Sequence, residues 1–332
     1  MFHKLLLALP LLSLTFLALA GPVEQREAAP GLIDDLLKGV LSPIAQLIKD
    51  VLAGTKSGID DYKTNKPLIC LSAVDSCCAW YDVSKELTSL FLQADGQCND
   101  NARAAVRFGF HDAGSWDKNA PNGGADGSLL MNFGEEGRPE NNGLQTIRGV
   151  LQNVQKKYNV GYADLVQYAH NHATISCPKG PRIRTFVGRK DATQAAPKFL
   201  LPDVNDSADN LIALFQAKGF SAHDLAALVG AHATAKQRFV DTTQAEKPLD
   251  TTPETKPNSK IFVLPSDKVL SVHPKVNDEW KSFVGDQKHW NEDYAKAYIR
   301  MSLTGVTNLK DLKDCTRTLP ASRPNFVAPK LQ

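Results

Sequence analysis

The sequence predicts an all-α protein built from two helical halves. Apolar residues recur at i, i+3 and i+4 in most segments after Cys70, which is the spacing of one helix face. Strand signals are few and short, and no repeat of fixed period is visible. With 332 residues, the chain is long enough for one large domain or two modest ones with a substantial core.

The first twenty residues, MFHKLLLALPLLSLTFLALA, are typical of a secretory signal peptide. Lys4 supplies the positive end, an apolar run follows, and Ala18-Leu19-Ala20 forms a small-x-small cleavage site. The apolar run is short for a membrane span and contains Pro10, and no later stretch is apolar enough to cross a bilayer. We therefore expect a signal peptide at residues 1–20 and a secreted, extracellular protein.

Residues 21–69 differ from the rest of the chain and form either an N-terminal extension or a propeptide. The stretch from Leu32 to Gly54 carries apolar residues at helical spacing, interrupted by Pro43. It predicts one or two amphipathic helices that lie on the main body or belong to the propeptide. A membrane-surface helix is disfavoured because the polar positions mix aspartate and lysine.

The main domain is expected over residues 70–332, with a first half at about 70–200 and a second half at about 201–320. Helical periodicity marks DSCCAWYDVSKELTSLFLQ, LQTIRGVLQNVQKKY, YADLVQYAHNHA, SADNLIALFQAKG, SAHDLAALVGAHATAKQRF and DEWKSFVGDQKHWNEDYAKAYIRMSLTGV. Gly219 is a natural helix stop, and Ser221 with Asp224 forms a capping-box pattern. The stretch DTTQAEKPLDTTPETKPNSK has no period and predicts a loop.

Six cysteines follow the predicted signal peptide, at positions 70, 77, 78, 98, 177 and 315. In an oxidising compartment three disulfides are expected, but six cysteines allow fifteen pairings and spacing alone does not choose among them. A zinc site is disfavoured because adjacent Cys77 and Cys78 lack zinc-ligand spacing.

The formal net charge of +2 is too small to attract nucleic acid or a membrane surface. Asn205-Asp206-Ser207 matches the acceptor pattern for N-glycosylation.

Two histidines have neighbouring residues that suggest a functional site. In the stretch RFGFHDAG, Arg107 precedes His111 by four residues, so both side chains share one helix face. His232 lies on the apolar side of a capped helix in ALVGAHATAK. A lone histidine on an apolar face is usually a core residue, but two such histidines, one beside an arginine, favour a site.

A glycine-rich loop, GGADGS, follows at residues 123–128. Asp112, Asp126 and Ser128 offer hard oxygen ligands, and the glycines let backbone carbonyls turn inward. The loop lacks the spacing of an EF-hand and taken alone could be a surface turn. A calcium-like loop next to the arginine and histidine strengthens the case that these two residues belong to a site.

Together these stretches resemble the haem peroxidases of the plant and fungal superfamily, above all the secreted fungal branch called class II. The resemblance covers about Cys70 to Pro320 and rests on ordered motifs: CCAWYDV, RFGFHDAG, GGADGS, NNGL, SCPKGP, GRKDATQAAP, LVGAHATA, LPSDKVL and DCT. It implies two helical halves that enclose haem b, hydrogen peroxide as the oxidant, and small phenolic or aromatic donors oxidised at the haem edge. It also implies a monomer with no nucleic-acid partner.

The resemblance assigns the residues that would hold the cofactor. His232 is similar to the proximal ligand of the haem iron. Asp267, in LPSD, is similar to its hydrogen-bond partner, which would fix the imidazole tautomer and make the ring more basic. Phe110, which precedes His111, matches the secreted classes of the superfamily.

The same resemblance assigns the opposite side of the haem. His111 would act as the acid and base toward peroxide, and Arg107 would stabilise negative charge as the O–O bond breaks. Asn141, in NNGL, would hold His111 in the useful tautomer, supported by either Glu135 or Glu136.

The structural features of the family also carry over by resemblance. The implied distal calcium ligands are Asp112, the Gly124 backbone, Asp126 and Ser128. The implied disulfides are Cys70–Cys78, Cys77–Cys315 and Cys98–Cys177.

The sequence departs from the family at a second, proximal calcium site. Asp250 and Thr252 fit the ligand pattern, but Ala233 replaces the usual hydroxyl residue and Pro257 falls near the last expected carboxylate. We expect this site to be weak or absent.

The features of lignin-degrading members are also incomplete. The positions of a manganese site hold approximately Asp100, Ala104 and Arg238, so at most one of three carboxylates remains. Ala227 stands where other members carry a surface tryptophan. We therefore expect a secreted peroxidase without manganese oxidation. The alternative is a catalytically weak or inactive peroxidase fold that serves as a secreted binding or cell-wall protein; an intracellular scavenger conflicts with the signal peptide and cysteines.

Overall fold

The structure, a computed structural model, describes residues 41–116, 118–119, 122–249 and 260–326. The predicted signal peptide therefore lies outside the described residues. So do Asp250 and Thr252, the two residues of the second calcium prediction.

The described residues form ten α-helices joined by short 3-10 turns. The helices are α1 (Pro43–Leu52), α2 (Cys78–Phe91), α3 (Asp100–Gly114), α4 (Gln145–Tyr158), α5 (Tyr162–Ser176), α6 (Ala208–Ala217), α7 (Ala222–Val229), α8 (Pro265–Ser271), α9 (Asn277–Ser282) and α10 (Gln287–Met301). The sheet content of this part is one antiparallel pair, β1 (Phe186–Val187) with β2 (Lys313–Asp314), in which Phe186 faces Asp314. The all-α prediction is confirmed.

Local sequence signals explain several of the helix ends. Ser221 and Asp224 form the predicted capping box at the start of α7, each side chain bonding the other residue's backbone N–H. Two predicted helices are shorter than expected. The segment from Ser221 ends as an α-helix at Val229 and continues as a 3-10 turn. The segment from Asp278 divides into α9 and α10 at Gly285, whose φ of 78° belongs to the left-handed region.

Two hydrophobic cores divide the helices. One core gathers apolar side chains from α2 to α5, together with Cys315 and Leu319 near the C-terminus. The other gathers α1 and α6 to α10. Helix α5 is buried from Ala163 to Ser176. None of the helices in the described part of the chain has the length and apolar composition that a membrane span needs.

Helix α1 is part of the second core. Pro43 does not interrupt this helix but begins it, because the first helical position needs no N–H donor, and Ser42 caps it. The side chains of Ala45, Ile48, Val51 and Leu52 are buried. The following segment is tied down by backbone bonds, from Arg184 N to Gly58 O and from Thr64 N to Arg317 O. The predicted amphipathic helix is therefore present and packs on the main body.

Three disulfides join the pairs that the resemblance implies: Cys70–Cys78, Cys77–Cys315 and Cys98–Cys177. The Cys77–Cys315 bond links residues 238 positions apart and ties the start of α2 to the end of the domain. Closing a loop of this length stabilises the folded state by about 5 kcal/mol in the chain-entropy model.

We predict that Ile48→Ala lowers the free energy of unfolding by about 2–5 kcal/mol, because it leaves a cavity under α1 that the surrounding core cannot fill. Denaturant unfolding with the disulfides intact measures the change. Ile69→Ala is the matched control, since Ile69 is 83% exposed whereas Ile48 is 0% exposed. Equal effects of the two substitutions would contradict a structural role for α1.

Candidate active site

A cavity of about 590 Å³ lies between the two cores. Helix α3 contributes Arg107, Phe110 and His111 to one wall, and the turn after α7 contributes Ala231 and His232 to the other. Large apolar side chains contribute much of the remaining lining, among them Val106, Leu144, Leu211, Phe215, Leu225, Leu228, Val229, Leu249, Leu264 and Leu270. The volume is in the range of cofactor pockets, roughly 300–1,000 Å³.

His232 is held by a buried carboxylate. It lies in the 3-10 turn Gly230–Thr234, directly after α7, and not in the α-helix itself as we predicted. Its Nδ1 is 3.0 Å from Oδ2 and 3.2 Å from Oδ1 of Asp267. Asp267 is 1% exposed near the start of α8, where the hydroxyl of Ser266 also donates to it. The Nδ1–H therefore donates to Asp267, and Nε2 keeps its lone pair.

The electrostatics of His232 follow from this contact. Burial by itself lowers the pKa of His232, but the charge of Asp267 and the hydrogen bond to it outweigh burial, so that the pKa is raised. A carboxylate behind an imidazole makes its other nitrogen a stronger ligand for a metal ion.

Arg107 and His111 lie one turn apart on α3 and bond to each other. Nε of Arg107 donates to Nε2 of His111 over 3.2 Å. The other guanidinium nitrogens donate to the backbone oxygens of Asn142 and Glu140, each over 2.7 Å. Desolvation lowers the pKa of Arg107 to about 10, which leaves the guanidinium charged at neutral pH.

His111 is neutral with a defined tautomer. Because Nε2 accepts from Arg107, Nδ1 carries the proton and donates to Oδ1 of Asn141 over 2.9 Å. Desolvation and then the charge of Arg107 lower the pKa of His111 to about 3, against the opposing effect of Asn141. At neutral pH the ring is therefore the neutral Nδ1–H tautomer, and its Nε2 lone pair can accept a second proton.

The support of Asn141 comes from Glu135 and not from Glu136. The amide nitrogen of Asn141 donates to the backbone oxygen of Glu135 over 2.8 Å. The Glu135 carboxylate bonds elsewhere, to the backbone N–H of Ala196 and to Arg138. Sequence analysis missed this backbone contact, and also the carbonyls that hold Arg107, because a carbonyl acceptor has no residue-type signal.

The four predicted calcium residues lie together behind His111. The carboxylate of Asp112 accepts the N–H groups of Gly127 and Leu129, and that of Asp126 accepts those of Gly123 and Ser128. Burial raises the pKa of Asp112 well above its usual value, and the neighbouring Asp126 raises it further.

This group of residues fits a hard divalent cation. The buried hydroxyl oxygen of Ser128 has no hydrogen-bond partner. Gly124, with φ of 98°, adopts a left-handed conformation that other residues rarely take. The buried carboxylate of Asp112 beside the half-buried carboxylate of Asp126 and an unsatisfied oxygen is unfavourable unless a cation compensates the charges, and calcium prefers such oxygen ligands.

The predicted manganese position is filled by ion pairs. The Asp100 carboxylate lies 3.1 Å from Arg103, 3.0 Å from Arg238 and 3.5 Å from Lys236. Ala104 lines the cavity beside it. Ala227, at the position of the surface tryptophan, is buried in α7.

The cavity also fits haem. A largely apolar cavity lined by two imidazoles, one of them bonded to a buried carboxylate, suits a metal-containing cofactor held through His232, with His111 available to act on a bound reactant. This arrangement defines a class of haem-dependent redox proteins.

Comparison with known proteins identifies the family. The model of the peroxidase family matches residues 83–268, more than half of the 332 residues. The chain is 29% identical over 277 residues to the low-redox potential peroxidase of Taiwanofungus camphoratus, covering 75% of this chain and 79% of the relative. It is 28% identical over 284 residues to ligninase LG2 of Phanerodontia chrysosporium (75% and 76%). It is 29% identical over 292 residues to manganese peroxidase 3 of Phlebia radiata (76% and 80%).

The chain therefore belongs to the peroxidase family, with fungal class II peroxidases as its relatives, and it is a hydrogen-peroxide-dependent haem oxidoreductase.

We predict that Asp267→Asn lowers the pKa of His232 below the ordinary histidine value of about 6.5, because burial then acts without the opposing carboxylate. Proton NMR titration of the haem-free protein measures this pKa. Asp209→Asn is the matched control, because Asp209 pairs with His273 over 3.1 Å outside the cavity, and it should leave the His232 pKa as in the wild type. An unaltered His232 titration would show that Asp267 does not control the ring.

Proposed function

We propose that this protein is a secreted haem peroxidase that reduces hydrogen peroxide and oxidises small phenolic or aromatic donors at the haem edge. The observation that carries this proposal is that two histidines from separate elements, α3 and the turn after α7, line one cavity. His232 is bonded to Asp267, and His111 is bonded to Arg107 and Asn141.

Haem b, when bound, supplies the redox-active iron. His232 would hold the iron through Nε2, since Nδ1 is engaged by Asp267. Phe110, on the opposite wall, would pack against the cofactor.

The residues of α3 would carry out the proton transfers. His111 Nε2 accepts a proton from the inner oxygen of peroxide and returns it to the outer oxygen, which leaves as water. A pKa of about 3 keeps the ring neutral and ready for the first step. Arg107 offers a fixed positive charge to the oxygen that becomes negative. Asn141 holds the tautomer on which both steps depend.

A single calcium ion would support this arrangement. Asp112, the Gly124 carbonyl, Asp126 and Ser128 are the proposed ligands. Asp112 directly follows His111 on α3, so a cation here would fix the helix end that carries the acid-base residue. At the second predicted site, Asp250 and Thr252, we propose that calcium binds weakly or not at all.

Secretion and monomeric state are part of the proposal. The N-terminal sequence supports a signal peptide at residues 1–20, and three disulfides fit an oxidising compartment. Asn205 is exposed, as a glycosylation site requires. We propose that residues 41–69 stay with the domain, because α1 shares its core.

We predict that His111→Ala slows the reaction of the haem-loaded protein with peroxide by about 10²–10⁴-fold, which is the usual contribution of a general acid-base residue. Stopped-flow absorbance of the Soret band after one equivalent of peroxide measures the rate. His273→Ala is the control and should react at the wild-type rate. A wild-type protein that binds haem and ignores peroxide would identify a non-enzymatic member of the family.

We predict that Mn²⁺ does not support turnover, because Arg238 and Lys236 hold the Asp100 carboxylate and repel a cation. Peroxide consumption with Mn²⁺ and malonate, compared with a phenol as donor, measures this. A manganese-saturable, malonate-dependent activity would contradict the prediction.

A further inference from the structure

A cluster of histidines and carboxylates lies outside the cavity, where three helices of the second core meet. Glu279 belongs to α9, and His289 and Asp293 lie one turn apart on α10. His223 lies in the first turn of the third helix, α7, and its Nδ1 is 3.7 Å from Oε2 of Glu279. None of these residues takes part in the site described above.

The ligand atoms of this cluster have the spacing of a metal site. Nε2 of His289 is 3.1 Å from Oδ2 of Asp293 and 3.8 Å from Oε1 of Glu279, and one ligand atom from each residue lies within 4.8 Å of the others. Around a tetrahedral zinc ion with bonds of about 2.1 Å, neighbouring ligand atoms are about 3.4 Å apart. Small side-chain adjustments would therefore place all three atoms around one ion.

The charges of the cluster also favour a cation. Burial raises the pKa of Glu279, and the adjacent Asp293 carboxylate raises it further. Two carboxylates this close repel each other, and the imidazole nitrogens of His223 and His289 lie within 4 Å of them. A divalent cation would relieve the repulsion and use the nitrogen lone pairs.

We propose that Glu279, His289 and Asp293 form a binding site for a divalent transition metal of the zinc type, with His223 as an adjacent second imidazole. Mixed imidazole and carboxylate ligands suit Zn²⁺ better than Ca²⁺ or Mg²⁺, which prefer oxygen alone. Cys70, Asp75 and Cys78 form another group with ligand spacing, but both cysteines are joined in a disulfide. The metal would link α9 and α10 next to α7, which leads into the turn that carries His232.

Isothermal titration of the haem-loaded protein with Zn²⁺, in calcium-containing buffer at neutral pH, tests this proposal independently of peroxidase activity. We expect one equivalent to bind with a Kd in the micromolar range, and His289→Ala and Asp293→Asn each to weaken binding by about tenfold or more. The matched control is His273→Ala, because His273 and Asp209 form a similar pair at 3.1 Å that, among the described residues, has no third ligand in range.

The supporting result is loss of affinity in both cluster variants with the control unchanged, accompanied by a zinc-dependent rise in unfolding temperature that the variants lack. Absence of saturable binding below about 1 mM would overturn the proposal, as would binding that both cluster variants retain.

Discussion

The close approach of α3 to α5 is the contact on which the site depends. Gly109 makes it possible, since a Cβ at this position would lie 2.6 Å from both Cβ of His170 and Oη of Tyr298. The absence of a side chain lets Gln167 donate to the Gly109 carbonyl and His170 to the Val106 carbonyl. With that side of α3 packed, Arg107 and His111 face the cavity, while Asp112 faces the glycine-rich loop.

The two histidines show how surroundings separate the roles of one residue type. Desolvation disfavours the charged form of both rings, so by itself it would lower both pKa values. His111 has a positively charged neighbour, so its pKa falls further, whereas His232 has a carboxylate that reverses the direction. One ring is thereby suited to accept a proton and the other to donate an electron pair to a metal. The difference comes from Arg107 and Asp267, not from the imidazoles.

Ion pairs line one part of the cavity, where the sequence predicts at most one carboxylate of a manganese site. The cations, Arg103, Lys236 and Arg238, are paired with the carboxylates of Asp100 and Glu246. The exposed ring of Phe239 lies beside this cluster and lines the same cavity. These ion pairs leave the Asp100 carboxylate engaged by cationic side chains.

The sequence alone determined the features that depend on neighbours within a few residues. Helical periodicity, the capping box of Ser221 and Asp224, and the shared face of Arg107 and His111 are local, so they are readable without tertiary contacts. The roles of the site residues and the disulfide pairing came from family resemblance, because spacing does not choose among fifteen pairings.

Only the tertiary structure decided which residues far apart in the sequence come into contact. In the tertiary structure α1 packs in the second core, the amide of Asn141 donates to the Glu135 carbonyl, and Arg238 forms an ion pair with the Asp100 carboxylate. These contacts depend on how helices pack and on backbone atoms, which every residue type shares.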